Sequence, residues 1–394
     1  MFDKLWARGN NLRATREATD YLFKNFLYLG LQHPEKWQRL HKLYSLILNL
    51  FVLGWYPISF IVSYYFEFRN MTVSQLLTSI QVAFNVWGIP FKIATMLMSL
   101  RHLYETMDVM DILDARCDRQ DEREKIRHCV MVGNRLTMVY MLVYCTYAEV
   151  TLIASVSMGQ PPYSLYIPGI EWRNSKQEFA AQCVIEFVLT NLACCHEAAE
   201  DVYSVIYVYV IRTHMQILVE RVRRLGKDLE TTNDECYEQL AMCVKDHQNL
   251  LRLIDIISPV ISKTIFIQFM ITAIILGTTL INIMIFADFS AQVASVVYML
   301  AVLVQTFPCC YQATCLMEDS QQLTLAIFHC EWIDKDIRTR KMLIFFMMRS
   351  QLPVTLTALK LFPITLDTSL AIGKFSFSLY TLIKEMDFGQ NFKA

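Results

Sequence analysis

The stretch Phe362–Glu385, FPITLDTSLAIGKFSFSLYTLIKE, decides how the rest of the chain is read. About 20 residues at about 1.5 Å rise cross the hydrocarbon core of a bilayer, so this segment is long enough to span one. It is polar for a span. Asp367, Lys374, Ser378, Thr381 and Glu385 recur at three- and four-residue steps and share a helix face with Ala371. Leu366, Leu370, Phe375, Leu379 and Leu382 fill the remainder. Such a stripe must point into a bundle or into water.

Working outward, six more charge-poor stretches precede it. Thr264–Ala287, Phe289–Met317 and Leu43–Phe66 carry no charge, and Val73–Leu100 is broken only by Lys92. Leu136–Tyr147 continues past Glu149 to Met158, and Phe179–Ile211 is apolar with acidic interruptions. Runs of this length, in a chain 54% hydrophobic and 19% charged, indicate membrane spans rather than the apolar stripes of a soluble helical protein. The expected fold is all-α and polytopic, with seven transmembrane helices. The net charge of −1, with no basic stripe interleaved with aromatics, argues against a nucleic-acid partner.

Lys and Arg set the orientation. They crowd the amino-terminal segment and the second, fourth and sixth connections, whereas the first, third and fifth contribute only Arg69, Arg173 and Lys176. The positive-inside rule puts the amino terminus in the cytoplasm, and seven crossings put the carboxy terminus outside. That is the reverse of a G-protein-coupled receptor. About forty charged and mixed residues precede the first apolar run, so no cleavable signal peptide is expected. Cys117, Cys129, Cys236, Cys243 and Cys330 face the reducing cytosol and the other cysteines lie in spans, so no structural disulfide is expected. The adjacent pairs Cys194-Cys195 and Cys309-Cys310 lack the spacing of a metal site, and no cofactor motif is present.

Four regions follow. Residues 1–40 form a cytoplasmic segment, with Tyr21, Leu22, Phe26, Leu27 and Leu29 suiting an amphipathic helix against the inner membrane surface; a partly ordered tail is the alternative. Residues 41–317 hold six spans and their helical extensions. Residues 318–361 add a further cytosolic helical region, and 362–394 comprise the last span and a short outside tail. The second connection keeps helical spacing through Leu103, Met107, Met110, Leu113 and Cys117. The fourth does so over Leu240, Val244, His247, Leu251, Ile254 and Ile257 until Pro259 intervenes. Three apolar faces in one cytosolic layer suggest assembly. With no phosphate loop, nucleophile–His–acid arrangement or metal spacing there, an enzyme is not expected.

The candidate functional residues lie in the spans. Asn70-Met71-Thr72 is an N-glycosylation pattern close to the membrane. The outside loop Gln160–Phe179, rich in proline and aromatics, reads as a lid over the span ends. Beneath it, Phe84, Trp87, Tyr140, Tyr144, Tyr147 and Phe187 suit either an apolar ligand pocket or ordinary bundle packing. Lys92 is read as functional, as snorkelling, or as paired within the bundle. Glu149, Glu186, Glu197, Glu200 and Asp201 are intramembrane acids; four in one span point to a wet face. They serve either to attract ions or to pair with Lys92, Arg135 or His196.

Several segments, in order and spacing, resemble the insect odorant receptors, particularly the odour-tuning subunits of flies. They are PPYSLYIPGIEWR, DHQNLL, TIFIQF, QTFPCCY, IFHCEWIDKDIRTRKMLIFFM and LFPITLDTSLAIGKFSFSLYTLIKEM, and the likeness covers almost the whole chain. The resemblance implies a ligand-gated, non-selective cation channel of four subunits, built with an obligate odorant co-receptor in the plasma membrane of a sensory-neuron dendrite. Its ligand would be a small volatile, an ester or similar. It implies a pocket among spans two, three, four and six, favouring Phe84, Trp87, Tyr144, Tyr147, Thr151, Phe187, Thr190, Met299 and Leu303. The family's pore pattern falls on Ser376, Tyr380, Ile383 and Lys384. That line lies about 100° to 160° around the helix from the polar stripe, at about 100° per residue. Tyr380 and Lys384 replace the co-receptor's apolar gate, and a lysine there would repel a permeant cation. A gustatory-type channel of the same superfamily is the alternative. A transporter would need paired inverted halves, and none is seen.

Overall fold

The computed structural model describes residues 14–34, 37–68, 73–227, 232–287 and 289–385. Ten helices account for most of them: α1 (Asp20–Tyr28), α2 (Gln38–Asn49), α3 (Tyr56–Glu67), α4 (Val73–Asp114), α5 (Gln120–Ser157), α6 (Lys176–Arg224), α7 (Asn233–Ile281), α8 (Phe289–Phe328), α9 (Ile337–Ser350) and α10 (Leu366–Glu385). Six segments among the described residues are long and apolar enough to cross a membrane: Gln38–Phe66, Leu76–Asp114, Gln120–Ser157, Lys176–Arg224, Asn233–Phe286 and Ser295–Phe328. The seventh expected span is α10. It is 20 residues long, but Asp367 and Lys374 interrupt it and it is not among the six.

Helices α6 and α7 have 49 residues each, roughly 70 Å at about 1.5 Å per residue, which exceeds any bilayer. Their surplus, with that of α4, α5 and α8, forms a layer at one end of the bundle, called here the basic end. Local chemistry sets the starts. The Ser175 side chain accepts from Glu178 N, Thr232 and Glu235 form a capping box, and Asp336 accepts from Thr339 N at 3.0 Å. Pro90, Pro259 and Pro308 all lie inside helices. The expected break at Pro259 does not occur, because neighbouring packing tolerates the lost backbone bond. Leu50–Trp55 and Asn282–Phe286 widen into π-helical turns.

Helix α6 is the centre of the bundle, and most of its residues from Ala198 to Val219 are buried. Large apolar side chains such as Phe91, Met98, Leu142, Ile153 and Val184 point outward, as lipid contact requires. The amino-terminal segment packs on the bundle. Leu22 and Phe26 are buried against α5 and α6, and Thr15 is bonded to Asp114 and, at 3.1 Å, to His214. Gly133 makes the approach possible: a Cβ there would stand 2.6 Å from the Ala18 carbonyl oxygen.

A small antiparallel hairpin, β1 (Thr357–Ala358) and β2 (Phe362–Pro363), precedes α10, so the fold is not helical throughout. Its turn places Leu359 and Lys360 at positive φ, and Leu359 N donates to Ser262 Oγ of α7 at 2.7 Å. Phe362 and Pro363 thus belong to the hairpin, and the last helix begins at Leu366. The twelve cysteines are free thiols. At the basic end, burial pushes the Cys117 thiol up to about 12 despite the Arg221 guanidinium beside it.

Candidate ligand cavity and the charged cluster at its floor

A cavity opens between α4, α5, α6 and α8, with Tyr56 of α3 on one side. Its wall is set by helical phase: Val82, Asn85, Val86 and Ile89 on α4, Val143, Tyr144 and Tyr147 on α5, Thr190, Ala193, Cys194 and Glu197 on α6, and Tyr298, Ala301 and Gln305 on α8. These recur at three- and four-residue steps, one inward stripe per helix. The cavity is narrow, with a volume of about 50 Å³.

Tyr163 closes the cavity from the loop between α5 and α6. That loop is pinned. Its Tyr163 and Leu165 amides each donate to the Glu186 carboxylate at 2.7 Å, and Gln182 Nε2 donates to the Leu165 carbonyl at 2.6 Å. Tyr166 N donates to Ser63 Oγ at 2.6 Å, and the Phe66 and Tyr166 rings stack at 5.0 Å. Glu186 is therefore a structural acceptor that fastens the loop over the span ends.

The opposite boundary is ionic. Lys92, fully buried on α4, donates to Asp201 Oδ1 at 2.8 Å and stands 3.7 Å from Glu197 Oε1. The Tyr144 hydroxyl donates to Asp201 Oδ2 at 2.6 Å. Gln305 Nε2 donates to Glu197 Oε1 at 3.3 Å, and Gln268 of α7 donates to Gln305 Oε1 at 2.7 Å. Tyr144, Glu197 and Gln305 belong both to this cluster and to the cavity wall. The acids of α6 do not form a wet face: Glu186, Glu197, Glu200 and Asp201 are all buried. Lys92, one of the three suggested partners, pairs with them, whereas His196 is buried with neither ring nitrogen bonded. Glu149 is exposed.

Of the lining residues expected from sequence, Tyr144, Tyr147 and Thr190 stand on the wall. Phe84, Trp87, Thr151, Phe187, Met299 and Leu303 lie off it. Phe84 packs on Trp87 at 5.4 Å, and the Trp87 indole donates to the Pro57 carbonyl at 3.0 Å. Met299 and Leu303 miss by one or two positions, since the inward stripe of α8 runs Tyr298–Ala301–Gln305. The residues not expected include Asn85, Glu197 and Gln305. Their amide and carboxyl groups were the available signal, because a membrane helix turns its polar positions inward.

On α10, Ser376 is buried and turned toward its own subunit, donating to the Ile372 carbonyl at 2.9 Å and to the Ala273 carbonyl of α7 at 3.4 Å. Tyr380 is half-buried beside Phe377, and Lys384 is exposed. Asp367, Ala371, Lys374 and Ser378 form the outward face. The side chain of Ile383 and the sequon at Asn70 lie outside the described residues.

With that geometry in hand, comparison with known proteins is direct. The family model for the 7tm odorant receptors matches residues 72–377. Odorant receptor 42a of Drosophila melanogaster is 36% identical over 377 residues, 95% of this chain and 93% of that one. Odorant receptor 42b of the same fly is 33% identical, over 97% and 96% respectively. Among solved structures, the insect olfactory receptor OR5 from Machilis hrabei in complex with eugenol superposes with a TM-score of 0.71, at 12% identity, over 95% of this chain and all of that one. This chain belongs to the 7tm odorant receptor family, whose members are multi-pass membrane receptors.

Proposed function

We propose that this chain is the odorant-binding subunit of a ligand-gated, non-selective cation channel, assembled as a heterotetramer with odorant co-receptor subunits in the plasma membrane of a sensory dendrite. The observation that carries the reading is the cavity: apolar and aromatic, roofed by a pinned loop, and floored by charges committed to one another. Such a site suits a small neutral volatile, an ester or a similar compound, and repays no bulky or charged one. The eugenol complex of the Machilis hrabei receptor supports a ligand of that size class.

Orientation follows the basic residues, which place the amino terminus inside and the last helix running outward. In the assembled channel α10 surrounds the pore. Lys384, exposed near its end, opposes cation passage, so the co-receptor subunits supply the apolar seal. Two-electrode recording from cells expressing this chain with and without the co-receptor tests both statements. A volatile-evoked inward cation current is expected only from the pair. Silence of the pair across a broad panel sinks the channel reading, and a robust current from this chain alone removes the dependence on the co-receptor.

A further inference from the structure

Two polar atoms on the cavity wall have no hydrogen-bond partner. Asn85, 6% exposed, donates through Nδ2 to the Tyr298 hydroxyl at 3.0 Å, and its Oδ1 is buried with nothing to accept from. Flipping the amide gains nothing, because the Tyr298 hydroxyl already donates its one proton to the Gln81 carbonyl at 3.1 Å. Tyr163, 9% exposed, holds the second unpartnered atom, its hydroxyl. Tyr147 stands on the same wall. Were these two phenols bonded to each other, one O–H proton would still be left over, since each carries one. The other polar wall groups are committed: Thr190 to Tyr56 and the Glu186 carbonyl, Tyr144 to Asp201, and Gln305 to Glu197 and Gln268. Asn85 thus brings to the wall an acceptor, and the phenol pair a donor, that the neighbouring wall groups do not answer, each costly to leave unmade.

We propose that the preferred ligands of this cavity are small neutral hydroxyl compounds, with Asn85 Oδ1 accepting the ligand's proton and a phenol of the Tyr147–Tyr163 pair donating to its oxygen. This rests on the reading of the cavity as the odorant site, and within small neutral volatiles it ranks hydroxyl compounds above the ester named there. A hydroxyl alone among common neutral volatile groups supplies both a proton and lone pairs. An ester or ketone answers only the phenol. A hydrocarbon answers neither, and apolar contact by itself discriminates weakly between molecules of one size.

Hexanol, hexanone and hexane, matched in carbon count, separate these cases in two independent readouts. One is ligand-induced thermal stabilisation of the purified chain; the other is current with the co-receptor. Hexanol is expected to be roughly tenfold more potent than hexanone, with hexane weakest. Asn85→Leu should bring hexanol down to hexanone, and Tyr147→Phe combined with Tyr163→Phe should bring hexanone down to hexane. Surface labelling reports folding. If Asn85→Leu fails to reach the surface, the phenol variant decides, and an unchanged hexanone-to-hexane ratio overturns the proposal. Hexanol no better than hexanone on the wild-type chain overturns it outright. Alcohol-selective stabilisation without current removes the channel reading and leaves this one standing; current without alcohol preference does the reverse.

Discussion

Helix α6 enters two buried charge clusters, one at Glu197–Asp201 within its span and one at Arg221 in its extension. At Arg221 two guanidiniums meet two carboxylates. Arg221 forks onto Glu122 at 2.7 and 2.8 Å, donates to Asp246 at 2.7 Å and to the Arg116 carbonyl at 2.7 Å, and Arg116 closes the square on Asp246. Charge and hydrogen-bonding capacity balance, and four chain segments are clamped together. Around Lys92 the ratio differs. One ammonium faces Asp201 and Glu197, and Glu200 nearby is buried with neither carboxylate oxygen bonded. The saturated cluster fastens the basic end. The unsaturated one adjoins the cavity through Tyr144, Glu197 and Gln305.

The comparison breaks most readily at Lys92. Lys92→Met keeps the volume and leaves Asp201 with only Tyr144 for support, and the buried acids lose their cation. We expect a loss of about 3–5 kcal/mol in apparent stability, read as a lower thermal midpoint in detergent and reduced surface delivery. Adding Asp201→Asn should recover part of it. An unchanged midpoint would show that water or an unseen counter-charge reaches the cluster.

Arg221→Met should cost less, about 2–3 kcal/mol, because Arg116 still holds Asp246 and the Arg221 side chain is 15% exposed. The same thermal assay ranks the two. A larger fall than that of Lys92→Met inverts the comparison.

Much of this architecture was legible in the sequence, for reasons that also mark where legibility ends. Span-length apolar runs, and basic residues confined to alternate connections, are properties of composition and survive any error of helical phase. Cavity residues are not. An error of one position turns a helix by about 100°, which separates Phe84 from Asn85 and Met299 from Tyr298. Aromatic content misled because large rings serve equally well against lipid, whereas Asn85, Lys92, Glu197 and Gln305 have no tolerable place there. The burial of Leu22 and Phe26 against α5 and α6 was hidden for a different reason. An amphipathic helix shows that it has an apolar face without showing which surface covers it. Tertiary contact likewise decides that Pro259 bends into a continuous helix and that Ser376 turns toward Ala273.

Glu186→Gln probes the loop end rather than either cluster. The carboxylate accepts from two backbone amides and from Gln182, and a carboxamide offers only one accepting oxygen. A loss of about 1–2 kcal/mol is expected, concentrated in the roof of the cavity. It should appear as faster decay of ligand-evoked current on washout, with surface delivery little changed. An unaltered decay would mean that the loop does not govern ligand exit.

Glu200→Gln should have the smallest effect and of the opposite sign. Glu200 contributes no hydrogen bond through either oxygen, so removing its charge relieves its desolvation and its repulsion from Asp201 and gives up only its unbonded attraction to Lys92. The thermal midpoint should hold or rise, by the equivalent of at most about 1 kcal/mol. A fall as large as that of Lys92→Met would place Glu200 in a bonded role and make the span cluster as saturated as the one at Arg221. The contrast between a saturated clamp and an unsaturated cluster would then be lost.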